Sequence, residues 1–273
     1  AEPDSFAQRF ARLHGPSICA IAFRVEDAKA AYERALSLGA WGYAGQAGPG
    51  ELNIPAIKGI GDSLIYLVDR WRGKHGAQPG EIGNIGFFDV DFEPLPGVEP
   101  AHSLNPAGHG LTTIDHLTHN VHRGRMEEWS SFYERLFNFR EVRYFDLEGQ
   151  VTGIKSKAMT SPCGLIRIPI NEEGNDQAGQ IQEYLDRYHG EGIQHVALAS
   201  NNLLDTVDAL QMAGLKLLTT GDTYYELLDK RIPGHGEDVA ALQQRNILVD
   251  GSHGELLLQI FSENQLGPIF FEF

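Results

Sequence analysis

Two imidazoles and one carboxylate, His116, His195 and Glu272, are spaced almost evenly through the second half of a 273-residue chain. Each lies in a strand-like apolar run: I-D-H-L-T-H-N-V (114–121), I-Q-H-V-A-L (193–198) and P-I-F-F-E-F (268–273). This donor set is the facial triad of non-heme Fe(II), which leaves three coordination positions open, enough for a bidentate substrate and O₂. A single histidine in an apolar strand reads more readily as a hydrogen-bonded core residue than as a ligand. Two at matching positions of repeated segments are harder to explain that way. Glu272 stands alone among aromatics, where an unpaired buried carboxylate would cost several kcal/mol and a divalent cation would remove that cost. Solvent exposure at the chain end is the competing explanation.

Other side chains fall around this trio by alternation. In Leu256–Phe261 a period of two puts Leu257, Gln259 and Phe261 on one face, an amide and an aromatic suited to a polar aromatic ligand or to a structural role. In Arg167-Ile168-Pro169-Ile170-Asn171 the face opposite the isoleucines carries Arg167, Pro169 and Asn171, and proline there indicates an edge strand or a bulge. His119 falls on the strand face opposite His116. His75, His102, His109, His122, His189, His235 and His253 read as surface-loop residues, and Cys163 in S-P-C-G as a turn residue. No Ser-His-Asp arrangement, phosphate-binding loop or dinucleotide glycine pattern is present.

The elements that must position these residues form a repeat. Strand-like 18–25, 115–121 and 194–198 are each followed by a helical pattern, at 26–39, 126–139 and 201–214, with apolar residues three and four apart. Tyr32, Ala35 and Leu36 make this stripe in the first unit; Trp129, Phe132, Tyr133, Leu136 and Phe137 make it in the second. Gly39 and Gly214 stand where a helix would end. Strand-rich segments follow each helix, L-K-L-L-T (215–219) among them, and 71–111 reads as a connection containing a strand at 85–92. The expected architecture is α+β: tandem βαβββ modules forming open barrels, with an N-terminal half over 1–100 and a catalytic half over 112–273. Cys19 occupies in the first module the place that His116 and His195 take in the others, so any metal belongs to the C-terminal half.

Bulk composition narrows the partners. With 22 basic against 37 acidic side chains the formal charge is −15, which disfavours a nucleic-acid groove or an anionic membrane surface. No apolar run is long enough for a membrane span. Two cysteines cannot build a disulfide framework, so a cytoplasmic protein with free thiols is expected. The first residue is not Met and the last four, F-F-E-F, end inside an apolar run, which suggests a piece of a longer protein.

Beyond these readings, H-G-P-S-I-C-A-I-A-F-R-V, E-L-N-I-P-A-I-K-G-I-G, D-H-L-T-H-N-V, F-Y-E-R-L-F-N-F-R-E, I-P-I-N-E, G-E-G-I-Q-H-V-A, D-T-Y-Y-E-L-L and L-L-L-Q-I-F-S-E resemble the bacterial 4-hydroxyphenylpyruvate dioxygenase family. That family is part of the vicinal-oxygen-chelate (glyoxalase-like) superfamily. The resemblance implies Fe(II) on His116, His195 and Glu272 and a substrate pocket lined by Gln259, Phe261, Ser156, Asn171 and Gln180. It implies conversion of 4-hydroxyphenylpyruvate and O₂ to homogentisate and CO₂ in tyrosine catabolism, by a homodimer or homotetramer. Pro169 and Asn171 weigh for this activity over 4-hydroxymandelate synthase, a sister that uses the same substrate. An extradiol catechol dioxygenase or a non-catalytic binding fragment are the remaining alternatives. The family has a further N-terminal module and a C-terminal helix that closes the pocket; without that lid, water would enter the site.

Overall fold

The computed structural model describes residues 3–45, 47, 51–70, 90–92, 108–146, 153–175, 178–252 and 254–273. The strand expected at 85–92 lies outside them except for 90–92, where residues 90 and 91 are helical rather than extended. Contacts group the chain into two units: Ala1–Leu13, Ile18–Ala107 and Glu128–Phe139 in one, His14–Ser17, Gly108–Glu127 and Arg140–Phe273 in the other.

The first unit begins with α1 (Phe6–His14, whose last residue groups with the other unit) and continues β1 (Ala20–Arg24), α2 (Ala28–Ser37), β2 (Gly42–Tyr43), β3 (Ala56–Lys58) and β4 (Leu64–Val68). Its sheet runs β1-β4-β3-β2, with β1 and β4 parallel. Helix α2 starts where Asp27 Oδ1 accepts the Ala30 N–H at 2.8 Å. It ends at Gly39, whose φ of 90° reverses the chain as its position in the sequence suggested. Of the expected stripe, Ala35 is buried but Leu36 is largely exposed. Phe23 packs edge-on against Phe137 at 5.1 Å and lies over Phe139, so residues 128–139 complete this core.

The second unit holds β5 (Leu111–Asn120), the start of α3 (Met126–Phe137), β6 (Arg140–Asp146), β7 (Ile154–Thr160), β8 (Arg167–Glu173), α4 (Gln180–Tyr188) and β9 (Gly192–Ser200). There follow α5 (Leu203–Met212), the short α6 (Asp222–Glu226) and α7 (Leu228–Arg231), α8 (Val239–Arg245), β10 (Leu248–Ser252), β11 (Glu255–Gln259) and β12 (Phe270–Glu272). Six strands form one sheet in the order β12-β9-β5-β8-β7-β6. The β10–β11 hairpin continues it through a bridge between Phe261 and Glu272 and paired backbone bonds between Ile260 and Phe273. Among the described residues its end strands do not pair, so the barrel stays open. Leu203, Val207, Leu228, Leu242, Ile247, Val249, Ile260 and Phe273 form a core behind the third module.

The repeat is visible in the pairing itself. In each module the first strand lies parallel to the last: β1 with β4, β5 with β8, β9 with β12. Antiparallel β5 and β9 join the second and third modules, so their first strands lie side by side at the centre of the large sheet.

Two local expectations differ from what is observed. L-K-L-L-T makes only an isolated bridge, Leu217 with Ser262. Pro169 sits on β8, which is an interior strand with neighbours on both sides, rather than on an edge. The β5–β8 ladder pairs His116 with Arg167 and resumes only at His119 with Ile170. The proline, which has no N–H to give, falls in that gap.

Candidate metal centre

The register explains why three distant residues meet. Across β5, β9 and β12, His116 stands opposite Ala197 and Ala197 stands opposite Glu272, so the three share one row and one sheet face. Strands lie about 4.8 Å apart, which separates the outer two backbones by about 10 Å. The small Ala197 lets both side chains lean over it, and His195, two residues earlier on β9, points to the same face. The Nε2 atoms of His116 and His195 each lie 3.2 Å from Glu272 Oε2 and 3.4 Å from each other. Donors about 2.1 Å from a shared cation, at octahedral or tetrahedral angles, would stand about 3.0 to 3.4 Å apart. The three side chains therefore fit a divalent metal. Among the described residues this is the grouping of His, Cys, Asp and Glu suited to one.

Both ring Nδ1 atoms are already engaged, which leaves Nε2 for the centre. His116 Nδ1 is 2.9 Å from Asp115 Oδ2, and His195 Nδ1 is 3.0 Å from Gln194 Oε1. Phe270 stacks on the His195 ring at 4.8 Å and fixes its plane. Burial works against charge on Glu272, yet hydrogen bonds to both imidazoles outweigh it and pull the carboxyl down to about 2. Burial also opposes charge on His116, but Glu272 and then Asp115 raise its pKa above the ordinary histidine value. His195 moves down, because burial and the neighbouring His116 exceed the pull of Glu272. The cluster thus presents a full carboxylate and a neutral His195 ring, and a bound cation would take His116 in its neutral form as well.

Beside the cluster lies a cavity of about 590 Å³, lined by Asn171, Gln180, Gln194, His195, Leu218, Phe261, Ser262, Glu263, Asn264 and Phe270. Of the expected pocket residues, Asn171, Gln180 and Phe261 are in that wall. Ser156 lies opposite Asn171 on β7 and Gln259 opposite Leu248 on β11, and neither is in the wall itself. Helix α4 presents Gln180 because Glu173 Oε1 accepts the N–H groups of Gly179, Ile181 and Gln182 at 2.9–3.1 Å.

Asp115 and Gln194 were not among the sequence candidates, since strict alternation would turn each away from the histidine that follows. The strands are bulged there: between Ile114–Leu198 and His116–Ala197 the extra residue is Asp115, and between Thr118–His195 and His119–Ile193 it is Gln194. No local signal announces a bulge in a chain without glycine at the site. Of the remaining histidines, His119 is wholly buried, and burial holds its pKa at about 3. His235, expected on a surface loop, has a 3% exposed side chain bonded to Asp229 at 2.9 Å. His75, His102 and His253 lie outside the described residues. Cys163 is exposed in a turn, 3.2 Å from Ser161 Oγ.

Comparisons with known proteins identify relatives over the length of the chain. Residues 1–93 match the family model "Hydroxyphenylpyruvate dioxygenase, HPPD, N-terminal", and residues 113–229 match the "Glyoxalase/Bleomycin resistance protein/Dioxygenase superfamily". A 4-hydroxyphenylpyruvate dioxygenase of Pseudomonas sp. (strain P.J. 874) is 54% identical over all of this chain and 74% of its own length. The protein of the same name from Pseudomonas aeruginosa is 51% identical over 99% of this chain and 72% of its own. A mutant 4-hydroxymandelate synthase from Streptomyces coelicolor shares the fold, with a TM-score of 0.80 at 24% identity over 99% of this chain and 74% of that one.

Proposed function

The chain belongs to the 4-hydroxyphenylpyruvate dioxygenase family, and on that premise we propose that His116, His195 and Glu272 hold Fe(II) in residues 112–273, the catalytic half. The chain is a dioxygenase sequence, and its reaction is the conversion of 4-hydroxyphenylpyruvate and O₂ to homogentisate and CO₂. The observation that carries the assignment of the centre is the convergence of two Nε2 atoms and one carboxylate oxygen beside a cavity of about 590 Å³. Two imidazoles and one carboxylate suit Fe(II), which when bound supplies open positions for the 2-oxoacid group and O₂.

The protein's own residues then have distinct tasks. Glu272 and the two rings offer the donors, and the Nδ1 atoms of both rings are already tied. Phe261 and Phe270 supply aromatic faces against which a substrate ring can pack. The amides of Asn171 and Gln180, with Ser156 beside Asn171, take the phenol end, each able to give and to accept a hydrogen bond. Gln259, two residues before Phe261 in the chain, shares the task of placing the ring. Leu218 and the aromatic pair give the cavity its apolar side.

Among the described residues no helix is long and apolar enough to cross a membrane. Cytoplasmic residence is in keeping with the free thiols of Cys19 and Cys163, and a homo-oligomer is the family-based expectation for assembly. The test is to incubate the protein anaerobically with Fe(II) and 4-hydroxyphenylpyruvate, admit air, and identify the aromatic product. Homogentisate with one CO₂ per turnover is expected. 4-Hydroxymandelate would move the chain to the sister activity. Turnover of a catechol without CO₂ would replace the oxoacid reading by ring cleavage.

A further inference from the structure

We infer that Asp115, braced by Arg167, is a positioning residue that sets the orientation and metal affinity of His116. The inference rests on the reading of His116, His195 and Glu272 as a cation site. Asp115 Oδ2 is 2.9 Å from His116 Nδ1, while its other oxygen accepts from Arg167 Nη1 at 2.6 Å. The carboxylate is therefore held at both ends: Arg167 fixes it, and it in turn takes the Nδ1–H of the ring. Only the tautomer with its proton on Nδ1 satisfies that bond, and this is the tautomer whose Nε2 lone pair faces Glu272 and His195.

The backbone is built for the contact. In an unbulged strand residues 115 and 116 would point to opposite faces. The bulge at Asp115 turns the two side chains toward each other, at the cost of one residue of regular pairing with β9. The register of the parallel neighbour completes the chain of contacts, since His116 stands opposite Arg167 on β8. His195 has the same arrangement in neutral form, with the bulged Gln194 on its Nδ1. The two rings thus have unlike supports, an ionic pair for His116 and an amide for His195. Asp115 and Arg167 are both substantially exposed, so substitution there tests the support without opening the core.

Co(II) is the probe, read by its visible absorption during anaerobic titration, together with the thermal melting of the metal-free protein. Asp115→Ala is expected to weaken Co(II) binding by about 10- to 100-fold and to alter the absorption envelope, with the metal-free melt little changed. Asp115→Asn keeps an acceptor oxygen and recovers binding to within about 5-fold of the parent, while Arg167→Ala falls between. Wild-type affinity and spectrum in Asp115→Ala, beside a parent that binds Co(II), would overturn the inference and leave the metal reading intact. A parent that binds no Co(II) would overturn both. A loss in Asp115→Ala that Asp115→Asn does not recover at all would also overturn it, since the acceptor would then not be what matters.

Discussion

Strands β1 and β9 open equivalent modules, and of the two only β9 carries a metal-donor side chain of the cluster. In the third module Val196 faces Phe271, and the residues just before and just after that pair are His195 and Glu272. In the first module Ala20 faces Leu64, and the corresponding residues are Cys19 and Ile65, the latter 1% exposed. The parallel pairing is the same in both, so the scaffold alone does not make a metal centre. Two side chains per module, at positions the register brings together, decide whether the face is a site or a core. Cavity size does not decide it: the first unit has a space of about 700 Å³ lined by Tyr32, Tyr43, Asn53 and Asp69, larger than the one beside His195. That space has no cluster of metal donors among the described residues.

The sharpest way to break this contrast is to remove the carboxylate. Glu272→Ala is expected to lower turnover by about a thousandfold or more, equivalent to at least about 4 kcal/mol at the transition state, and to abolish tight metal binding. Cys19→Ala, at the matching place in the first module, is expected to leave both within about twofold. Retained activity in Glu272→Ala, measured on metal-reconstituted protein, would sink the ligand assignment.

A second contrast lies in how the helices are held. Helix α2 of the first unit is capped by its own preceding residue, Asp27. Helix α4 has only Gly179 at its N-cap and is held instead by the buried Glu173 on β8. Glu172 does the same for the start of α3, accepting from Gly124 and Met126 at 2.9 and 3.1 Å. In the second unit α4 and the start of α3 are thus tied to the sheet that carries the donor cluster, while α5 and α8 keep local caps, Asn202 and Asp238. Glu173→Ala leaves three N–H groups without their acceptor and is expected to cost about 2–4 kcal/mol of stability. It should also raise KM more than it lowers kcat, because Gln180 loses its anchor. Chemical denaturation and steady-state kinetics on the same preparation check both.

This contrast also marks what could be read in the chain. The donor cluster was legible because a carboxylate among three aromatics and two histidines at repeated positions have few cheap structural explanations. The modules were legible because strand-then-helix patterns recur and Gly39 and Gly214 end two of the helices; the caps Asp27 and Asn202 at their starts were seen only in the structure. Support given from a distance was not legible. Glu173 reaches residues six to nine positions on through the fold, and Asp115 and Gln194 turn toward their histidines only because β5 and β9 are bulged. Alternation, the rule that put Gln259 with Phe261 and Pro169 with Asn171 on a common strand face, fails at a bulge for the same geometric reason that it works elsewhere. Of the two readings of Pro169, an edge or a bulge, the edge does not hold, since its missing N–H coincides with an interruption in an interior ladder.

Acid should distinguish the units again. His119, on the same strand as His116, is wholly buried, and burial holds its folded pKa at about 3 against an ordinary value of 6.5. The unfolded chain takes up a proton below about 6.5 that the folded chain refuses until about 3. Its contribution to stability is therefore complete above 6.5 and falls with pH across that window, by up to about 1.4 kcal/mol per unit. His119→Gln cannot take a proton and should flatten the dependence between pH 6.5 and 5, whatever it does to stability at neutral pH. Parallel curves for the two proteins would remove His119 as the cause.

The smallest expected effect completes the comparison of caps. Asp27 is exposed and satisfies one N–H, at Ala30, so Asp27→Ala is expected to cost only about 1 kcal/mol, and Asp27→Asn less. Water can reach the freed N–H there, whereas the groups held by Glu173 include the buried Ile181. Turnover and KM should stay at the parent values in Asp27→Ala, since α2 contributes nothing to the cavity beside His195. Measured side by side, the two variants separate a local cap from one that also shapes a site. If Asp27→Ala raised KM as Glu173→Ala does, the effect of Glu173 on Gln180 would reduce to general loss of stability. A shift in KM confined to Glu173→Ala would instead locate it in the placement of α4.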